Sequence, residues 1–108
     1  RQIEFDPTWT QPVGARDILT RMLNNLKFGY LHRGELALAL ATVDRLVALR
    51  PDLPQELRDR GLLRLALGEP LLGFTDLMAY LDLAPNAPEI GRLRRRLSAM
   101  RMMRAQLN

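Results

Sequence analysis

From Ile18 to Arg33 the apolar residues Leu19, Met22, Leu23, Leu26, Tyr30 and Leu31 recur at spacings of three and four, which sets them on one side of a helix. Gly34 ends that helix at the left-handed position that glycine occupies without steric cost. A second helix is predicted from Glu35 to about Leu49, and Pro51 stops it because the residue before a proline disfavours helical dihedrals. The same grammar then repeats: a helix from Pro54 to Leu67, Gly68 as its stop, a helix from about Leu71 to Leu83, and Pro85 as its stop. Pro54 and Pro88 stand near helix starts, where a missing N–H costs little. A last helix, from Pro88 to about Gln106, carries Ile90, Leu93, Leu97 and Met100 on one stripe, with Arg94, Arg95, Arg101 and Arg104 mostly off it. Residues 1–14, RQIEFDPTWTQPVG, break the pattern; two prolines and the alternation of Ile3 and Phe5 predict an extended lead-in.

The stretch LRPDLP (Leu49 to Pro54) returns as LAPNAP (Leu83 to Pro88), 34 residues on. That shift also lays Gly34-Glu35 over Gly68-Glu69 and Leu23 over Leu57, with Ala39 over Gly73 and Val43 over Leu77 as similar pairs. A helix-turn-helix unit with a period of 34 is the tetratricopeptide pattern. The expected fold is therefore all-α, a right-handed tetratricopeptide-like superhelix: lead-in 1–14, repeat 1 over 15–52, repeat 2 over 53–86, and a capping helix over 87–108. An open stack needs such a cap, since its last repeat otherwise leaves an apolar face bare. The hexapeptides are connectors between helices rather than catalytic loops.

Composition narrows the chemistry. With 108 residues, 47% of them hydrophobic, the chain is long enough for one packed domain. It has no Cys and one His, His32, which excludes disulfides, thiolate ligands, a cysteine nucleophile and a histidine metal cluster within the chain. The longest apolar run, Leu36 to Ala41, is far short of the roughly 18 residues that read as a membrane span. No metal or other cofactor, no membrane and no small-molecule substrate are expected, and a cytoplasmic location is. The net charge of +4 is uneven: residues 1–86 hold ten Lys/Arg against eleven Asp/Glu, whereas residues 87–108 hold six Arg against Glu89 alone.

Those arginines invite a nucleic-acid reading, but the segment has no aromatic residue for base stacking and no recognised nucleic-acid motif. A solubilising cap whose Arg stems cover apolar surface is the better reading. His32 reads as a helix-end cation, and Gly61 as a small residue that lets two helices approach. Arg58, Asp59 and Arg60 could grip a carboxylate or simply form a solvated face, with Glu56 pairing to Arg60 along the helix. The repeat positions put Arg21, Asn24, Phe28 and Leu31, then Gln55, Arg58, Leu62 and Leu65, then Arg92 and Arg96 along the concave face. This face is expected to bind a protein or peptide of acidic or mixed apolar-acidic character, or an adjoining domain. Trp9 is expected to pack against its Phe28, Leu31, Leu62 and Leu65.

RMLNNLKFGYLHRGELALAL (Arg21 to Leu40), LRPDLPQELRDRGLL (Leu49 to Leu63) and DLMAYLDLAPNAP (Asp76 to Pro88) together resemble the C-terminal tetratricopeptide region of the bacterial SirB-type transglutaminase-like proteins. Asn25-Leu26-Lys27 and Arg58-Asp59-Arg60-Gly61 are the most specific pieces of that resemblance. It implies an upstream transglutaminase-like domain whose catalytic Cys and His would lie before Arg1. No catalytic residue falls on this sequence, so the chain itself is expected to be no enzyme but an interaction module, or alternatively the accessory part of such an enzyme.

Overall fold

A computed structural model of the chain describes the backbone of residues 12–107 and the side chains of residues 14–102. Five helices follow one another: α1 (Pro12–His32), α2 (Leu36–Leu49), α3 (Pro54–Ala66), α4 (Pro70–Leu83) and α5 (Ile90–Leu107). There is no strand among the described residues. The helices pack in the order of the chain, α1 with α2, α2 with α3, α3 with α4, and α5 on α4. The expectations placed on Ile3, Phe5 and Trp9 lie outside the described residues.

The punctuation behaves as its residue types require. Gly34 and Gly68 have φ of 73° and 82°, the left-handed region that costs glycine nothing. In both repeats the residue after the glycine closes the helix in a Schellman motif, Glu35 N–H donating to the Tyr30 carbonyl at 2.9 Å and Glu69 N–H to the Arg64 carbonyl at 2.8 Å. Pro54 and Pro70 begin α3 and α4, where the absent N–H would have no helical partner. In the connector, Arg50 forks onto Asp52 and reaches Asp17 on α1, and its hydrogen bonds hold the exposed Asp52 carboxyl down at about 2.

Two expectations need correction. Residues 12–14, assigned to the extended lead-in, belong to α1, because a proline at the first helical position suits a helix start as well as it suits a loop. The apolar stripe of α1 is also only partly used. Leu23 and Tyr30 are half-buried and the fully buried positions are Thr20 and Lys27, whereas Leu19, Met22 and Leu26 face outward. The apolar arc of α1 is wider than the strip that α2 can cover.

Two cores result, one per repeat. Ala39 and Val43 of α2 gather Tyr30, Leu36, Leu40 and Val47, and Leu63 of α3 joins them across the repeat boundary. In the second core Leu77, Tyr80 and Leu81 of α4 meet Leu93 and Leu97 of α5. The cap therefore buries the stripe its sequence offered.

Gly61 fulfils its expected packing role. A Cβ there would lie 2.8 Å from the Leu77 side chain and 3.0 Å from the Gly73 carbonyl, and one on Gly73 would lie 2.8 Å from the Gly61 carbonyl. The α3–α4 crossing thus needs glycine on both helices. Gly73→Ala should destabilise by about 1–3 kcal/mol despite its better helix propensity, because backbone must move. Gly91→Ala on exposed α5, where the nearest atom is the Arg95 guanidinium at 3.7 Å, should stabilise by about 0.5–1 kcal/mol. Urea unfolding of the two variants separates these outcomes; a stabilising Gly73→Ala would contradict so close a crossing.

Candidate partner-binding face

The 34-residue shift carries Phe28 onto Leu62 and then Arg96, and Asn24 onto Arg58 and then Arg92, so α1, α3 and α5 present equivalent positions. Phe28 is 61% exposed, and Leu31 and Leu62 are each 37% exposed. Arg21, Arg92 and Arg96 are exposed, and Asn24 is half-buried. Arg92 also borders a shallow, open depression with Pro88, Glu89, Gly91 and Arg95. Two of the ten expected residues are engaged within the fold. Leu65 lies at the α3–α4 crossing, against the position a Gly73 Cβ would take. Arg58 donates to Asp59 at 3.2 Å and to Glu89 at 3.3 Å, with its guanidinium 5.8 Å from the Tyr80 ring centre. His32 ends α1 and is exposed.

Beneath this face runs a polar joint that the sequence reading missed. The Lys27 ammonium, 3% exposed, donates to Glu56 at 3.1 Å and to Asp59 at 2.9 Å, crossing from α1 to α3. Glu56 is itself 2% exposed. Arg60, expected to pair with Glu56, instead chelates the buried Asp76 of α4 at 2.8 and 2.9 Å and reaches Asp44 of α2 at 2.9 Å. Arg64 adds a second cation to Asp76 at 2.8 Å. An (i, i+4) pair on one helix is worth only about 0.2–0.5 kcal/mol, so partners that relieve buried charge take precedence. One signal was readable: Lys27 stands 34 residues before Gly61, a long cation at the position where the other repeat has no side chain.

A third cluster ties α5 to the stack. The Tyr80 hydroxyl donates to Glu89, which also accepts from Arg58. The hydroxyl bond, backed by Arg58, holds the Glu89 carboxyl below its ordinary range. Burial first, then the Glu89 charge, pushes the Tyr80 phenol above its ordinary value of 10.0. A lowered carboxylate stabilises the fold above its unfolded range and loses that as pH falls through its folded value. A raised phenol stabilises below its unfolded value and loses that as pH rises through its folded value. The stability lost in Tyr80→Phe should therefore be greatest between the ordinary carboxylate and phenol ranges and shrink at both ends. Urea midpoints against pH for the two proteins check this; a difference independent of pH would contradict the pairing.

Among the described residues no group of three His, Asp or Glu side chains is placed to hold a metal ion, and no helix is long and apolar enough to cross a membrane. The repeated helix pair, its glycine crossing and its terminal helix define a helical-repeat protein. A family model for the tetratricopeptide repeat matches residues 26–98, and the chain belongs to that family. Among curated relatives, the UPF0162 protein of Xylella fastidiosa (strain Temecula1) is 37% identical over 83 residues, 77% of this chain and 30% of that protein. The UPF0162 protein YchA of Escherichia coli K12 and Protein SirB1 of Salmonella typhimurium are each 28% identical over 92 residues, 85% of this chain and 30% of their own length. The chain thus spans about 30% of the relatives it matches, in their C-terminal part. No solved structure matches it.

Proposed function

We propose that the chain is a non-catalytic interaction module that binds an extended peptide, or an adjoining domain, on the face carrying Phe28, Leu31 and Leu62. The observation that carries the reading is the exposure of Phe28 beside two partly exposed leucines, with the exposed cations Arg92 and Arg96 at equivalent positions toward the cap. Soluble monomers rarely leave a contiguous apolar patch of more than a few hundred Å² uncovered. A ligand with an apolar anchor followed by carboxylates matches that order of apolar and basic groups. With no Cys and a single His, the chain carries no thiol and one imidazole, which supports the non-catalytic reading, and a cytoplasmic location belongs to the same proposal. A role as accessory part of a larger cysteine enzyme is the second reading, favoured by relatives more than three times as long as the matched stretch.

Selection of a phage-displayed random peptide library on the chain tests the first reading. Enriched peptides should combine an aromatic or aliphatic anchor with Asp or Glu. Their affinity should fall about tenfold or more with Phe28→Ser, and Arg96→Glu should weaken them further and abolish the preference for acids. Absence of enrichment, or binding indifferent to Phe28→Ser, would overturn it.

A further inference from the structure

A second exposed apolar surface lies along α1. Ile18 is 63% exposed, Met22 56%, and Leu19 and Leu26 48% each. Phe28, six residues from Met22, stands about a third of a turn off this stripe, so the surface is distinct from the concave face. What these positions do is legible from the other repeat. Shifted by 34 residues, Leu19 falls on Leu53, Met22 on Glu56 and Leu26 on Arg60. In α3 those positions are the joint with the preceding repeat: Glu56 meets Lys27 of α1, Arg60 meets Asp44 of α2, and Leu53 is half-buried. The outer face of α1 is therefore a docking face by position, and in this repeat it is apolar where the next one is charged. Its occupant needs apolar side chains and no matching ions.

The same face on a second copy meets that need, because the stripe is symmetric about its middle. Ile18 lies four residues before Met22 and Leu26 four after it, while Ala15 lies seven before and Gly29 seven after. Residues at these spacings share one side of a helix. Two α1 helices laid antiparallel, with Met22 of each at the two-fold axis, therefore set Ile18 against Leu26 and Ala15 against Gly29 of the other copy. The outermost pair is small, and a Cβ on Gly29 would meet only the Arg33 guanidinium, at 3.6 Å, so the helix ends can come close. We propose that the chain forms a head-to-head dimer in which two copies cover each other's Ile18, Leu19, Met22 and Leu26. The far end of the stack disfavours a head-to-tail array. There α5 presents Arg92, Arg94, Arg95 and Arg96, all exposed, and burying guanidinium groups against four apolar side chains is costly. Apolar face on apolar face carries no such cost, and a self-complementary contact closes at two subunits. Area sets its strength. The four side chains expose roughly 400 Å² between them, and a symmetric pair buries about twice that before flanking contacts, the low end for specific interfaces. The dimer is therefore weak and reversible. It leaves Phe28 available to a partner, so it stands or falls independently of the proposed peptide binding.

Sedimentation velocity over a concentration series reads the proposal directly. The unaltered chain should be mostly dimer at about 200 μM and mostly monomer below about 1 μM, as a weak interface requires. Met22→Glu sets like charges against each other at the two-fold axis and should weaken the dimer about tenfold or more, while Phe28→Ser and Arg95→Glu leave it unchanged. All three substitutions fall on exposed side chains, and circular dichroism verifies that helix content is kept. The chain has no Cys, so introduced thiols report the register. A mixture of Ile18→Cys and Leu26→Cys chains should cross-link on mild oxidation several-fold faster than either variant alone. A chain that stays monomeric at about 200 μM would overturn the proposal without any variant. A dimer indifferent to Met22→Glu would overturn it too, and one broken by Arg95→Glu instead would place the contact on α5. Cross-linking of Ile18→Cys with itself as fast as with Leu26→Cys would contradict the antiparallel register.

Discussion

Lys27→Met should cost about 3–5 kcal/mol of folding stability, the range for breaking a buried ion pair by removing one partner. Methionine keeps most of the stem volume, so the loss comes from charge rather than from a cavity. It strands Glu56, whose side chain is 3% exposed and whose Oε1 takes its ion-pair contact from Lys27. Asp59 loses the same ammonium but is 22% exposed and retains Arg58. A domain of this size is stable by only about 5–15 kcal/mol, so the variant should show a far lower urea midpoint with an unchanged helical spectrum in water. A midpoint shift worth under about 1 kcal/mol would mean that water or other groups satisfy Glu56 unaided.

Ending the chain at Asn86 should have an effect as large, of a different kind. It removes α5 and with it Leu93 and Leu97, 6% and 3% exposed, from their seat on Tyr80 and Leu81. Burying one such side chain is worth about 1.5–3 kcal/mol, and the faces they cover on α4 become solvent-exposed at the same time. The Tyr80 hydroxyl and Arg58 both lose Glu89. The shortened chain is expected to lose cooperative unfolding or to aggregate, as seen by thermal denaturation and light scattering. A transition as sharp and at the same temperature as that of the whole chain would show that α5 does not serve as the cap.

The architecture was readable because it is written in local signals. Gly34 and Gly68 mark left-handed helix ends, Pro54 marks a helix start, and the stripe Ile90, Leu93 and Leu97 marks the packed face of the last helix, each within a few residues of its effect. Gly61 was legible for the same reason, since the period gave its place in the crossing. The polar joint was not. Lys27 finds its carboxylates 29 and 32 residues away, and Arg60 finds Asp44 and Asp76 16 residues away on either side. Helix periodicity ranks Glu56 and Arg60 as neighbours and is silent on which charges packing will desolvate. The start of α1 was missed because PVGARD offers no apolar period, although proline suits a first turn. The same limit governs the binding face: periodicity gave the exposed positions of Phe28 and Leu62, while Arg58 and Leu65 were drawn into the fold by partners on α4 and beyond.

The repeats are joined on one side by Leu63 against Ala39 and Val43, and on the other by Lys27 with Glu56 and Asp59. The most direct test of that joint is a double-mutant cycle in urea with Lys27→Met, Glu56→Leu and the two combined. If the ion pair locks repeat 1 to repeat 2, the combined variant should be more stable than Lys27→Met alone, with a coupling energy of at least about 1.5 kcal/mol. Losses that simply add, leaving the combined variant the least stable of the three, would contradict it and leave the apolar contacts as the joint.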